Sequence, residues 1–350
     1  MNPFETFAKE MADTAGSMFK RYQNLMEVED VDVATSEKEV VWQQDKVKLY
    51  HYQNETKPIV KVPLLIVYAL VNRFDMMDLQ PDRSLIRNLL GLGVDIYMLD
   101  WGYPTRPDRY LSLNDYVNGY IDDDVDHIRE TTGSEKVNIL GVCQGGTMST
   151  IYSALHPEKV NSLITMVTPI DFNTEDGLLF KWSRDLDVDS IVDSYGGIVP
   201  GDFLNFGFDL LKPFGKLRKY NGLGAMLDDK DKLMNFLRME KWVGDRPDQA
   251  GEAYRQFIKD LYQQNKLIKG ELVVGKKVDL KNITMPLLNI YAAEDHMVPP
   301  SATKPLNDHV GSKDKELYEF PGGHIGVFVG GRSQKELGPT IAKWLKQRSN

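Results

Sequence analysis

The sequence predicts an α/β protein in which a mostly parallel sheet is covered by helices on both faces and interrupted by a helical insertion. Two features of the 350-residue chain carry this expectation. Short, wholly apolar runs alternate with amphipathic helical patterns, which is how strands buried on both faces read. That alternation stops between about residues 178 and 275 and then resumes. At roughly 150 residues per domain, the length suits two folding units or one large domain with an insertion.

The elements follow in order. Residues 3–27 carry Phe4, Phe7, Met11, Phe19, Tyr22 and Met26 at helical spacing, which predicts an N-terminal helix within residues 1–30. It either packs on the body or offers a docking surface to a partner protein. Val40–Trp42 and Val47–Tyr52 alternate like a short antiparallel pair. Candidate buried strands are Leu64–Leu70, Val94–Leu99, Val137–Leu140, Leu163–Val167, Leu287–Tyr291 and Glu316–Phe320. Helical patterns lie at Arg83–Leu92, Leu113–Thr131 and Thr147–His156, and right-handed crossovers follow from strand twist. Segment 178–275 is rich in aromatics and charges, with breaks at Gly196, Gly197, Pro200 and Pro213. A helical insertion there is expected to cap the crevice at the strand ends, between core segments 1–177 and 276–350.

Composition narrows the function. Hydrophobic residues make up 42% and charged residues 27%, enough apolar material for a sizeable core. The formal charge of −9 offers no general attraction to a phosphate backbone, so nucleic-acid binding is not expected. The longest apolar run, Pro63–Val71, falls short of the ~20 residues of a membrane helix. The first 30 residues lack a signal-peptide pattern. A lone cysteine cannot form an internal disulfide, so a cytoplasmic location is expected.

One short motif carries chemistry. After the strand Val137–Leu140 comes Gly141-Val142-Cys143-Gln144-Gly145-Gly146, then a helix. This is the nucleophile elbow of the α/β-hydrolase fold, with cysteine where serine is more usual. The glycines are needed because side chains there would strike neighbouring backbone. The elbow places the sulfur at the positive end of a helix, which favours thiolate and supplies backbone N–H groups for an oxyanion.

An elbow predicts an acid and then a histidine downstream. Asp295 lies just past the strand Leu287–Tyr291, and His324 follows the next strand. His296, beside the acid, is the secondary candidate for the base, and Glu294 rivals Asp295. His51 and His127 read as surface residues, His156 as a helix cap, and His309 has polar neighbours. Oxyanion donors are expected at the backbone N–H groups of Gln144 and of Val71, in the loop after the first core strand. Asp122–Asp124 with Asp126 read as a solvated helix face. Asp185, Asp187 and Asp189 start like a calcium loop but meet Ser190 and Gly196 where glycine and glutamate belong. Neither a metal nor an organic cofactor is required.

At these residues the sequence resembles the polyhydroxyalkanoate synthases, which polymerise hydroxyacyl-coenzyme A into storage polyester. The likeness runs through LLIVYALVNR (64–73), DLQPDRSLI (78–86), YMLDWGYP (97–104), GVCQGG (141–146), NFLRMEKW (235–242), AGEAYRQFIKDLYQQNKL (250–267), EDHMVPP (294–300) and FPGGHIG (320–326). It implies an acyltransferase of the α/β-hydrolase fold taking a 3-hydroxyacyl-coenzyme A, short-chain 3-hydroxybutyryl-coenzyme A by preference, onto a growing polyester chain. It further implies Cys143 as the acylated nucleophile, His324 as base and Asp295 as the triad acid. The short length resembles the catalytic chain of two-subunit synthases. A PhaE-like partner is implied by the glutamine after the cysteine and by FPGGHIG, and a PhaR-like one by segment 254–281. A homodimer working at the granule surface is also implied. Two other readings stay open on the residues alone: a cysteine-nucleophile thioesterase or hydrolase of the same fold, and a silent granule-coating scaffold.

Overall fold

The computed structural model describes residues 16–28, 30–54, 57–211 and 226–349. Its central sheet has eight strands: β1 (Lys38–Gln44), β2 (Val47–Tyr52), β3 (Leu64–Val67), β4 (Ile96–Asp100), β5 (Val137–Val142), β6 (Val160–Met166), β7 (Leu287–Ala292) and β8 (Lys315–Phe320). Their spatial order is β1-β2-β4-β3-β5-β6-β7-β8. The hairpin β1–β2 and the β2–β4 pair are antiparallel, and every other pair is parallel. The strands fall at the expected apolar runs, with ends shifted by a few residues. The first is the main exception, stopping at Val67 and leaving Tyr68, Ala69 and Leu70 in the loop above it.

Pleating divides the apolar side chains between two cores. Leu65, Val67, Leu99, Ile139 and Leu163 face one layer, with Val125 and Ile128 of α3 (Asp122–Thr132) and Met148 and Ile151 of α4 (Gln144–Leu155). Leu64, Ile66, Met98, Leu140 and Ile164 face the other. There they meet Leu85 and Leu89 of α2 (Leu85–Gly91) and Ile341 and Leu345 of a C-terminal helix (Gly338–Arg348). At the sheet margins, β1 is bulged between Val40 and Trp42, and β8 exposes Lys315, Glu316, Leu317 and Glu319.

Between β6 and β7 the chain leaves the sheet for α5 (Leu178–Arg184), α6 (Val188–Ser194), α7 (Gly201–Leu211), α8 (Lys230–Gly244) and α9 (Gly251–Gln256), the last running into a π-helical turn at Phe257–Gln263. Gly196 and Gly197 break the chain after α6, both at positive φ, and Pro200 immediately precedes α7. Pro213 lies outside the described residues.

Three expectations need correcting. The first helix, α1 (residues 16–26), presents Met18, Phe19, Tyr22 and Met26 to solvent, so the packed reading fails for this stretch. Polar contacts hold it instead: Arg21 to Asp228 at 2.8 Å, and the Asn24 amide donating to the Leu227 carbonyl at 2.7 Å. Phe4, Phe7 and Met11 lie outside the described residues. The acidic run of α3 is not a solvated face either. Asp122 and Asp126 both bind Lys159, and Asp124 is buried, with Oδ2 lacking any partner among the described residues. It shares its helix face with Ile121 and Ile128. Nor are His51 and His127 surface residues: both are half-buried, His51 on Asp95 and Tyr97, His127 stacked on Trp42.

Burial, helped by Asp123, raises the Asp124 carboxyl well above the ordinary 3.8. The folded state therefore holds this proton more tightly, and stability falls as pH rises from about 3.8 toward the folded value. Asp124→Leu keeps the shape and removes the charge. It is expected to stabilise the protein by about 1–3 kcal/mol at pH 8, a gain that shrinks as pH approaches 4. Thermal melts across pH check this; an equal gain at every pH would assign it to packing.

Candidate active site

Cys143 stands between β5 and α4 at φ 52° and ψ −122°. This left-handed backbone is strained for a side chain and is held because the surroundings admit no other path. A Cβ on Gly145 would lie 2.3 Å from the Val67 carbonyl oxygen, and one on Gly146 would lie 1.9 Å from Thr168 Oγ1. With glycine at both, the first turn of α4 seats directly on the ends of β3 and β6. The Cys143 N–H donates to the Met166 carbonyl at 2.9 Å. One residue on, Val167 is also forced to positive φ, at 47°, an outlier for a β-branched residue.

The acid and the imidazole come from the turns after β7 and β8. Those turns are sewn together by backbone, Ala293 N–H to the Phe320 carbonyl and Glu294 N–H to the Gly322 carbonyl, each at 2.9 Å. Asp295 is buried, and its Oδ1 accepts the N–H groups of Met297 and Val298, both at 2.9 Å. Its Oδ2 lies 2.7 Å from His324 Nδ1. The buried His324 ring also interacts with Cys143. Burial pushes the imidazole toward neutrality, but Asp295 on one side and Cys143 on the other outweigh it and raise its pKa to about 10. Glu294 and His296, the competing residues, are both exposed.

Two buried phenols flank the sulfur. Burial, then the Cys143 charge, raises Tyr68 and Tyr262 far above the usual tyrosine range, so both stay protonated. Tyr262 belongs to the π-helical turn of the insertion and packs on Phe172 and Phe180. The expected oxyanion donors lie in the same region. The Gln144 N–H, at the start of α4, has no intrahelical acceptor, and among the described residues no hydrogen bond is made by the Val71 N–H. The Gln144 side chain reaches across to accept the Leu70 N–H at 3.1 Å.

Contacts between the insertion and this loop escaped the sequence reading. Trp242 Nε1 donates to the Arg73 carbonyl at 2.8 Å, Arg246 Nη1 to the Val71 carbonyl at 2.8 Å, and Gln249 Nε2 to the Leu70 carbonyl at 2.9 Å. Bonds to backbone carbonyls leave no residue signature across so long a sequence separation. Beneath the loop, Asp100 of the Asp-Trp-Gly turn pairs with Arg73, and Trp101 Nε1 donates to the Tyr68 carbonyl at 2.9 Å. Among the described residues no group of three His, Cys, Asp or Glu side chains could hold a metal, and no helix is long and apolar enough to cross a membrane. Asp189 of the calcium-like segment is engaged by Arg255 and Lys259.

Comparison with known proteins agrees with the fold. Residues 62–331 match the model of the alpha/beta hydrolase fold, and residues 2–89 match that of the poly-beta-hydroxybutyrate polymerase (PhaC) N-terminus. The chain is 51% identical to the poly(3-hydroxyalkanoate) polymerase subunit PhaC of Allochromatium vinosum, with 98% of each chain covered. It is 50% identical to that of Thiocystis violacea, covering 99% of this chain and 98% of the relative. The chain belongs to the poly(3-hydroxyalkanoate) polymerase PhaC family. As such it is an acyltransferase that makes polyester. The fold is shared more widely among solved structures. A structure described as a putative lipase from Sulfolobus solfataricus superposes with a TM-score of 0.54 at 15% identity, over 89% of this chain and 99% of that one. In this PhaC-family chain the elbow carries cysteine.

The elbow's tolerance can be measured. Gly145→Ala is expected to cost about 1–3 kcal/mol, as overpacking does, and to reduce activity by displacing the first turn of α4. Gly91→Ala, where nothing lies within 4 Å, should be neutral or stabilising by about 0.5 kcal/mol. Denaturant midpoints of the two variants check the contrast.

Proposed function

We propose that the chain polymerises short-chain 3-hydroxyacyl-coenzyme A thioesters, 3-hydroxybutyryl-coenzyme A foremost, through an acyl-cysteine at Cys143. The observation that carries this reading is the buried Asp295–His324 pair, whose imidazole interacts with Cys143 at the head of α4. The short-chain preference draws support from the polymerase family matched by residues 2–89.

In the first half-reaction the Cys143 sulfur attacks the thioester carbonyl while His324 holds the sulfur's proton. The carbonyl oxygen becomes an oxyanion facing the N–H groups of Gln144 and Val71. Collapse breaks the carbon–sulfur bond to coenzyme A, and the imidazolium returns its proton to the departing thiolate. Thioester is exchanged for thioester, so the acyl group keeps its activation. In the second half-reaction the hydroxyl of another acyl unit or of a chain end gives its proton to His324 and attacks the acyl-cysteine. An ester bond forms, and the sulfur is released. Asp295 holds the ring so that one nitrogen always faces the sulfur, and it stabilises the positive charge in both halves.

Water competes with the hydroxyl for the acyl-cysteine, and the insertion over 178–275 is read as the cap that keeps it out. The buried aromatics Phe172, Phe180 and Tyr262 around the site support that role. The relatives of matching length bear the name of polymerase subunits. The chain is accordingly read as working with a second subunit, PhaE-like in preference to PhaR-like, as a homodimer at the surface of its polyester granule.

The test uses the purified chain with 3-hydroxybutyryl-coenzyme A, with and without a second subunit, following thiol release and product. Polymer and a mass adduct on the Cys143 peptide are expected, and Cys143→Ala should release thiol at below about 1% of the wild-type rate. Monomeric acid as the main product would overturn the polymerase mechanism in favour of hydrolysis. Asp295→Asn is expected to lower kcat by about 100-fold with the fold intact; wild-type turnover would remove Asp295 from the mechanism.

A further inference from the structure

The loop that follows β3 has an unusual support. Its peptide carbonyls at Leu70, Val71 and Arg73 are each held by a side chain from residues 242–249 of the insertion. Gln249 is the most deeply placed of the three. It is 4% exposed, and its Nε2 gives its shortest hydrogen bond, 2.9 Å, to the Leu70 carbonyl, with longer ones of 3.2 Å to Pro247 and Asp248. On the other side of the same residue, the Leu70 N–H is fixed by the Gln144 side chain at 3.1 Å. Leu70 is therefore pinned by two glutamines, one beside the nucleophile and one in the insertion.

Pinning the Leu70 carbonyl has a geometric consequence. In a trans peptide the carbonyl and the following N–H point to opposite sides of one rigid plane. Holding the Leu70 oxygen toward Gln249 turns the Val71 N–H away from Gln249. That N–H makes no hydrogen bond among the described residues, although the loop carbonyls on either side of it are both engaged. Arg246, on the Val71 carbonyl, stops the next peptide from rotating and carrying Val71 with it.

We propose that Gln249 is a positioning residue for acyl transfer: through the Leu70 carbonyl it aims the Val71 N–H at the oxyanion. The inference rests on the reading of Cys143 as the acylated nucleophile and Val71 as an oxyanion donor. It makes competence for thioester chemistry depend on a side chain of the insertion that touches neither substrate nor sulfur. Removing a preorganised oxyanion donor costs about 10²–10³ in kcat, so loosening one is expected to cost about 10- to 100-fold.

The experiment compares two reactions of the same sulfur in the full-length chain. Acylation by 3-hydroxybutyryl-coenzyme A passes through an oxyanion. Alkylation by iodoacetamide displaces iodide and forms none. Gln249→Met keeps the length of the side chain and removes the donor. It is expected to slow single-turnover thiol release and kcat by about 10- to 100-fold, with KM and the alkylation rate both within about twofold of wild type. Acylation at the wild-type rate would overturn the inference. So would a parallel fall of acylation and alkylation, which would give Gln249 only a general structural role. Gln249→Leu supplies the same readout where the Met variant does not fold, and failure of both to fold would likewise assign the amide to stability. The underlying mechanism is judged separately, on the wild-type chain: without an adduct on Cys143 that reading fails, whatever Gln249 does.

Discussion

Everything at the site follows from how closely the first turn of α4 approaches the ends of β3 and β6. That approach is closed to any residue with a side chain: Gly145 sits against the carbonyls of Val67 and Tyr68, and Gly146 against Thr168. The seat is kept at the expense of two strained residues, Cys143 and Val167, on adjacent strand ends. Strain of about 1–3 kcal/mol at each is tolerable only because the core beneath is fully packed. Once α4 is seated, Gln144 reaches the Leu70 peptide, and the sulfur stands over the sheet where His324 meets it.

In the proposed mechanism the site's two tasks rest on different supports. Proton handling is carried by the turns after β7 and β8, joined backbone to backbone and anchored by the two N–H groups on Asp295. Handling of negative charge falls to α4 and to the loop after β3, and that loop hangs from the insertion. The imidazole is thus positioned by the sheet, whereas the loop donor is positioned by a segment added to the sheet.

Much of this was legible in the sequence. Wholly apolar runs found the parallel strands because strands buried on both faces have no polar positions to spare. The elbow was readable because few turns demand glycine at such spacing, and chain order then pointed to Asp295 and His324. What separates Asp295 from Glu294, and His324 from His296, is burial, which a turn sequence does not encode. Asp124 was misread because three consecutive acids suggest solvent. Its helical phase with Ile121 and Ile128 was the better guide, blurred by the π-helical segment Asp115–Ile121 that leads into α3. At the N-terminus, apolar spacing identified a helix over 16–26 but could not say what, if anything, covers it. Gln249 and Arg246 were invisible, since their partners are carbonyls about 180 residues away.

The sheet margins have a consequence for behaviour in a crowded solution. An open sheet ends in two rows of unpaired backbone groups, which can recruit strands from other molecules. Here β1 is broken by its bulge at Val40 and Trp42, and β8 exposes lysine and glutamates along its length. A second chain adding to either margin would have to match an irregular register or bury like charges. The geometry that builds the parallel core thus stops at its own borders, and fibrillar growth by strand addition is discouraged at both.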